Sequence, residues 1–210
     1  MKIGVVIHDM TPAAGTERIT ATLCNSFAAR GHQVTIVSCF KEFPAVSYAL
    51  SPEIEVVFMN PCKNESSGKI RHIMSYLGQI RKIRCFLRHA DFDLILGQSF
   101  PINVILFFTG LCHKAVACEH TFYNYYYYPI RLVRNFLYRF FKRIVVLTEK
   151  DKMKFQRYYL NVSVIPNMNL FSCEMKVNLG NKRIISVGRL VKSKGFDLLI
   201  NAVKDIFIQY

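Results

Sequence analysis

The chemistry in this 210-residue chain is sharpest near its carboxyl end. Ser186-Val187-Gly188-Arg189-Leu190 runs through a short loop into Lys194-Gly195-Phe196-Asp197-Leu198-Leu199-Ile200. The pattern reads strand, Gly-Arg, loop, Lys-Gly, helix. It puts Arg189 at the carboxyl end of a strand and Lys194 at the start of a helix, the edge where open α/β sheets bind ligands. Two such cations can clamp a diphosphate without a metal, Arg by its bidentate fork and Lys as a point charge. The competing explanation is a solvated turn with two surface cations. A second candidate is Ala14-Gly15-Thr16-Glu17-Arg18. There Gly15 precedes a helix and lets a phosphate approach free amides at the positive end of the helix dipole. An ordinary turn also accounts for a single glycine. The loop is not a GxGxxG, which disfavours a dinucleotide cofactor.

These residues need a scaffold, and the hydrophobic pattern supplies one. Short β-branched runs alternate with helical-period segments. Strands are expected over 2–8, 33–39, 54–59, 93–96, 115–118, 143–147 and 162–165, and helices over 16–30, 70–89, 102–111, 129–141 and 149–158. Ile19, Leu23, Phe27 and Ala28 are the apolar positions of the first helix at helical spacing, and Gly31 ends it. Residues 60–68 read as a polar loop. Strands alternating with helices predict an α/β fold, a Rossmann-like doubly wound parallel sheet. Residues 166–182 break the rhythm like an interdomain linker, after which 182–187 starts a fresh strand and 194–207 a fresh helix. One βα unit cannot bury its own faces. Ile184, Ile185, Leu198, Leu199 and Ile206 are therefore expected to be exposed.

Composition narrows the partners. Lys and Arg total 28 against 14 Asp and Glu, a net charge of +14, with 51% hydrophobic residues. Such a chain can build a core and attract a polyanion. Residues 63–88 and 131–157 together carry all but one of the excess cations. The second segment follows an aromatic run, Phe122 to Tyr128, and interleaves Arg131, Arg134, Arg139 and Lys142 with apolar residues. Aromatics beside cations suit the headgroup layer of an anionic membrane. The alternative is that the apolar stripe packs on the sheet and the cations are merely solvated. No zinc-finger, RRM or helix-turn-helix signature supports nucleic-acid binding. Seven scattered Cys without a CxxC pair argue against a disulfide framework or a zinc site, and for a reducing cytosol. The first apolar run is too short for a signal peptide, and 102–112 is about half a membrane span.

Together these strings resemble the retaining, GT-B-fold glycosyltransferases of family 4. The resemblance rests on Gly15-Thr16-Glu17-Arg18, Glu119-His120, Val145-Val146-Leu147-Thr148-Glu149, Val164-Ile165-Pro166-Asn167 and the 188–200 block. It implies two facing Rossmann-like domains, an acceptor domain at 1–166, a linker at 167–181, and a nucleotide-sugar domain beginning at 182–210. Arg189, Lys194 and Gly15 would then bind the donor phosphates. His120 would act near the transferred sugar, its plainer alternative being a hydrogen-bonded strand-end histidine. Thr16, Glu119, Thr148 and Glu149 would line the acceptor cleft. The resemblance further implies a nucleotide-sugar donor, a lipid-linked or saccharide acceptor, and bacterial surface polysaccharide synthesis. The expected location is cytoplasmic, peripheral on the inner face of the plasma membrane. No metal and no cofactor are expected, in keeping with the lack of a DxD. The acidic pair that binds the donor sugar has no counterpart before Tyr210, so activity is expected to be impaired by truncation. The alternative is a non-catalytic membrane-surface or acceptor-binding module.

Overall fold

A computed structural model describes residues 1–60, 69–168, 184–188 and 190–209. The chain divides into two compact units, Met1–Met168 and Asn169–Tyr210. Most of the expected loop at 60–68 and of the expected linker lies outside the described residues.

Seven parallel strands in the order β3-β2-β1-β4-β5-β6-β7 form the sheet of the first unit. In chain order the elements are β1 (Lys2–Asp9), α1 (Gly15–Ala28), β2 (Gln33–Phe40), β3 (Glu55–Phe58), α2 (Lys69–Ala90) and β4 (Leu94–Gln98). They continue with α3 (Phe100–Thr109), β5 (Ala115–Cys118), α4 (Tyr128–Leu137), β6 (Arg143–Val146), α5 (Glu149–Phe155) and β7 (Val162–Val164). The central strands are apolar along their whole length because both of their faces are covered. Ile3, Val5 and Ile7 pack with Ala21, Cys24 and Ala28 of α1. The opposite face holds Val6 and Val37 with residues of α2, α3 and α5, including Leu87, Leu106 and Phe155. The chain lays β2 and β3 to one side of β1 and then returns to place β4 on the other. Val5 stands opposite both Ile36 and Leu96. That reversal makes β1/β4 the switch point, where open sheets leave a crevice at their carboxyl edge.

Two backbone features shape that edge. A Cβ on Gly97 would collide with the side-chain oxygen of Asn103 and with Leu106, so glycine allows α3 to close onto β4. The next turn passes through Ser99 at φ 92° and ψ 155°, a region that non-glycine residues avoid.

Several boundaries differ from the sequence expectation. β1 extends one residue further because Asp9 still pairs with Phe40. The helix expected over 129–141 ends at Leu137 and tightens into a 3₁₀ turn, Tyr138–Phe140. The tighter turn brings Tyr138 and Phe141 both into the core. In the second unit residues 184–187 form no strand, and no other strand is described within that unit for them to pair with. A 3₁₀ turn at Lys192–Lys194 and Gly195 at φ 65° precede α6 (Phe196–Gln209). Ile184, Ile185 and Leu198 are exposed as expected, and Leu199 is half-buried. The Ile206 side chain lies outside the described residues. Five cysteines, 24, 39, 85, 112 and 118, are free thiols.

Candidate functional site

The carboxyl ends of β4, β5 and β6 open into a trough of about 350 Å³ beside α1. Ile19, Leu23 and Phe27 of α1 form one wall, and Leu96, Val116 and Val145 form the floor. Gln98, Glu119 and His120 sit where β4 and β5 end, and Arg143 and Asn167 are further polar residues of the lining. A mostly apolar pocket with a few convergent polar groups is the usual form of a small-molecule site.

His120 Nε2 lies 2.5 Å from Gln98 Oε1. With that oxygen accepting, Nε2 carries the proton and Nδ1 is the acceptor of a neutral imidazole. Burial pushes the His120 pKa below its ordinary value and reinforces neutrality. Gln98 is itself buried, and its Nε2 has no partner among the described residues. One end of the trough therefore offers an unused amide donor and a histidine acceptor, the pair needed to grip a hydroxyl.

Glu119 is fixed from behind. Its amide donates to Val145 O at 2.9 Å, holding it against β6. Tyr138 Oη donates to Glu119 Oε1 and accepts from Asn103 Nδ2 at 2.8 Å. Arg134 Nη1 stands 3.9 Å from Glu119 Oε2. Burial raises the Glu119 carboxyl to about 7, while the Arg134 charge and the Tyr138 hydrogen bond pull it the other way. Arg134 is held as firmly as its partner. Its Nη2 donates to Tyr123 O at 2.9 Å, and its guanidinium lies 4.7 Å from the ring centres of both Tyr123 and Phe155.

Arg134 is therefore a correction to the membrane-surface expectation. It is 0% exposed, because the only carboxylate it pairs with among the described residues is buried at the end of β5. Arg131 is half-exposed, and Arg139 and Lys142 are exposed. Between them α4 presents Ile130, Val133 and Phe136 to solvent, so its apolar stripe does not all pack on the sheet. No helix among the described residues is long and apolar enough to cross a membrane.

Thr148 and Glu149 do not line this trough, and neither does Thr16. Thr148 caps α5: its Oγ1 accepts from Asp151 N at 3.1 Å and donates to Asp151 Oδ2 at 2.7 Å. Glu149 is solvent-exposed and pairs with Lys152 at 3.4 Å. Gly15 opens α1 with free space around its Cα, and Thr16 follows it, half-buried. The first bond of that helix is Arg18 N–H to Ala14 O at 3.1 Å, so the amides before it have no intrahelical acceptor. Asp9, unremarked in the sequence, shapes this loop. Its two oxygens accept from Thr11 N at 2.8 Å, Thr11 Oγ1 at 2.7 Å and Glu42 N at 2.7 Å. Lys194 is exposed at the end of its 3₁₀ turn in the second unit. Arg189 lies outside the described residues.

Solved structures share this fold at low identity. Sucrose-phosphate synthase from Thermosynechococcus elongatus superposes with a TM-score of 0.61 at 12% identity, over 79% of this chain and 47% of that one. Anabaena HepE in complex with UDP-glucose gives a TM-score of 0.53 at 16% identity, over 80% of this chain and 44% of that one. The architecture is the Rossmann-like sheet of GT-B glycosyltransferases. Residues 13–168 match Glycosyltransferase Family 4, and the chain belongs to that family. An uncharacterized glycosyltransferase of Haemophilus influenzae is 29% identical over 95% of this chain. The amylovoran biosynthesis glycosyltransferase AmsD of Erwinia amylovora is 21% identical over 99% of it. A Campylobacter jejuni α-1,4-N-acetyl-D-galactosaminyltransferase, named for a diphosphoundecaprenol-linked acceptor, is 24% identical over 97%. The chain spans 56%, 59% and 56% of these three relatives, just over half of each.

Proposed function

We propose that the protein is a retaining glycosyltransferase of bacterial surface polysaccharide synthesis, and that this chain supplies its acceptor side. The sugar would pass from a nucleotide-sugar to a lipid-linked or saccharide acceptor at the cytoplasmic face of the plasma membrane. The observation that carries this reading is the convergence of Gln98, Glu119 and His120 at the carboxyl edge of the sheet. HepE bound to UDP-glucose supports the donor class, and the Campylobacter relative supports a lipid-linked acceptor.

Three tasks fall to the chain's own residues. His120 and Gln98 hydrogen-bond a hydroxyl of the transferred sugar. Glu119, restrained by Tyr138 and Arg134, fixes the strand end from which His120 projects. Charge grows on the departing nucleoside diphosphate as the glycosidic bond breaks, so Arg189, Lys194 and the first-turn amides at Gly15 stabilise the transition state more than the ground state. This division of labour needs no metal, and transfer is expected to persist in EDTA. The exposed apolar residues of α4, with Arg131, Arg139 and Lys142, hold the protein against an anionic bilayer.

The test is transfer from UDP- and GDP-sugars to a lipid-linked acceptor. Release of nucleoside diphosphate is expected, and His120→Ala, which removes a hydrogen bond to the transferred sugar, should lower kcat by about 100-fold. Neither transfer nor donor binding with any such sugar would overturn the reading.

A further inference from the structure

Three cations and three tyrosines line a groove of about 310 Å³ between α4 and α5, apart from the trough. Arg131 comes from α4, Lys154 from the last turn of α5, and Arg157 from just beyond it. Tyr123, Tyr128 and Tyr158 complete the wall. No carboxylate lines the groove, and none of the three cations is ion-paired among the described residues. Arg131 and Lys154 lie 5.8 and 6.0 Å from the centre of the same Tyr123 ring. Gathering like charges without a counter-ion raises the local potential and draws an anion.

Two polar atoms on these lining residues are buried without partners: Arg131 Nε, a donor, and Asn135 Oδ1, an acceptor. Another atom of each group is already held. Arg131 Nη1 donates to Asn124 Oδ1 at 2.5 Å, and Asn135 Nδ2 donates to Tyr123 Oη at 3.0 Å. The guanidinium is thus oriented before any ligand arrives.

The geometry points to a phosphate-bearing head group as the ligand of this groove. An oriented Arg fork and two further cations match phosphate oxygens. The rim identifies the source. Leu132 lines the groove and is exposed, as are Ile130, Val133 and Phe136 along the same helix. A cationic pocket beside an exposed apolar row and tyrosines suits the headgroup layer of a bilayer. The ligand is the phosphate of a membrane lipid, reached while α4 lies in the interface. The inference rests on the membrane-facing part of the proposed function and not on sugar transfer.

Flotation of the protein with phosphatidylcholine vesicles containing phosphatidylglycerol tests it. Each groove cation should contribute about fivefold in apparent affinity, the equivalent of about 1 kcal/mol near an anionic surface. Lys154→Ala with Arg157→Ala should therefore weaken binding about 25-fold. Arg131→Lys, which keeps the charge but loses the fork, should weaken it about fivefold. Removing two exposed charges from α2, by Arg84→Ala with Arg88→Ala, should change it less than about twofold. Equal losses from the α2 and groove pairs would mean general charge attraction and overturn the site. Inorganic pyrophosphate bound through the groove cations, with vesicle binding indifferent to them, would assign the groove to a soluble phosphate and overturn the lipid source. Absence of flotation overturns the inference outright. Sugar transfer without flotation would leave the transfer reading standing and remove its membrane-facing part with this inference, and flotation without transfer would leave this inference standing.

Discussion

Arg131 and Arg134 sit one turn apart on α4 and belong to opposite environments. Arg134 points inward, to a buried carboxylate and two aromatic rings. Arg131 borders a groove that holds no carboxylate, with its Nε unpartnered. The difference lies in what each helix position faces, not in the residue type. An arginine in a basic, aromatic segment is structural when another element brings a carboxylate beneath it, and otherwise remains available to a ligand.

The largest test of that contrast is Arg134→Ala at pH 8. It strips buried Glu119 of its cation and removes the guanidinium packed on Tyr123 and Phe155, and should destabilise the protein by about 3–5 kcal/mol in urea denaturation. Arg131→Ala should cost less than about 0.5 kcal/mol. Equal costs would erase the distinction.

Next in size is the pH dependence of Glu119, whose carboxyl is raised from 4.5 to about 7. Between those values the folded state keeps a proton that the unfolded chain has released. Stability is therefore fully present below the unfolded value and is lost as pH rises through about 7, by on the order of 3 kcal/mol. Glu119→Gln should remove this loss. His120 acts with the opposite sign, but it is common to both proteins and cancels in the difference. Parallel stability profiles for the two proteins would show that Glu119 is not held protonated.

A smaller effect is expected at Tyr138, which links Asn103 to Glu119. Tyr138→Phe should cost about 1–3 kcal/mol, because it leaves both groups with an unmet hydrogen bond. On the outer face Phe136→Ser should change stability by less than about 0.5 kcal/mol while reducing vesicle binding. A large stability loss there would mean that Phe136 packs rather than docks.

Much of the scaffold was legible in the sequence. The apolar runs of β1 and β2, the existence of α1 and the Gly31 stop follow from periods and breakers that act locally, whereas the buried face of α1 is Thr20, Ala21, Cys24 and Ala28, with Ile19, Leu23 and Phe27 half-buried on the trough wall. The strand order was not legible, because a reversal at β1/β4 depends on how separated segments pack. The end of α4 was missed for a similar reason: Tyr138 turns inward to reach Glu119, 19 residues earlier in the chain. Glu119-His120 follows the expected 115–118 strand, whereas no local signal marks Gln98, whose partner His120 lies 22 residues on. Two signals were present and unread. A single Asn103 inside the apolar α3 marks a buried hydrogen bond, and Thr148 three residues before Asp151 is the spacing of a helix cap.

The two outer strands of the sheet are short, β3 four residues long and β7 three, while β1 and β2 run for eight. A free strand edge invites another chain to add itself, and its appetite grows with the number of unpaired amides it offers. Here the long apolar strands sit in the middle, and the rims offer only a few residues for such addition. A sheet this hydrophobic is thereby shielded from stacking edge to edge with its own copies.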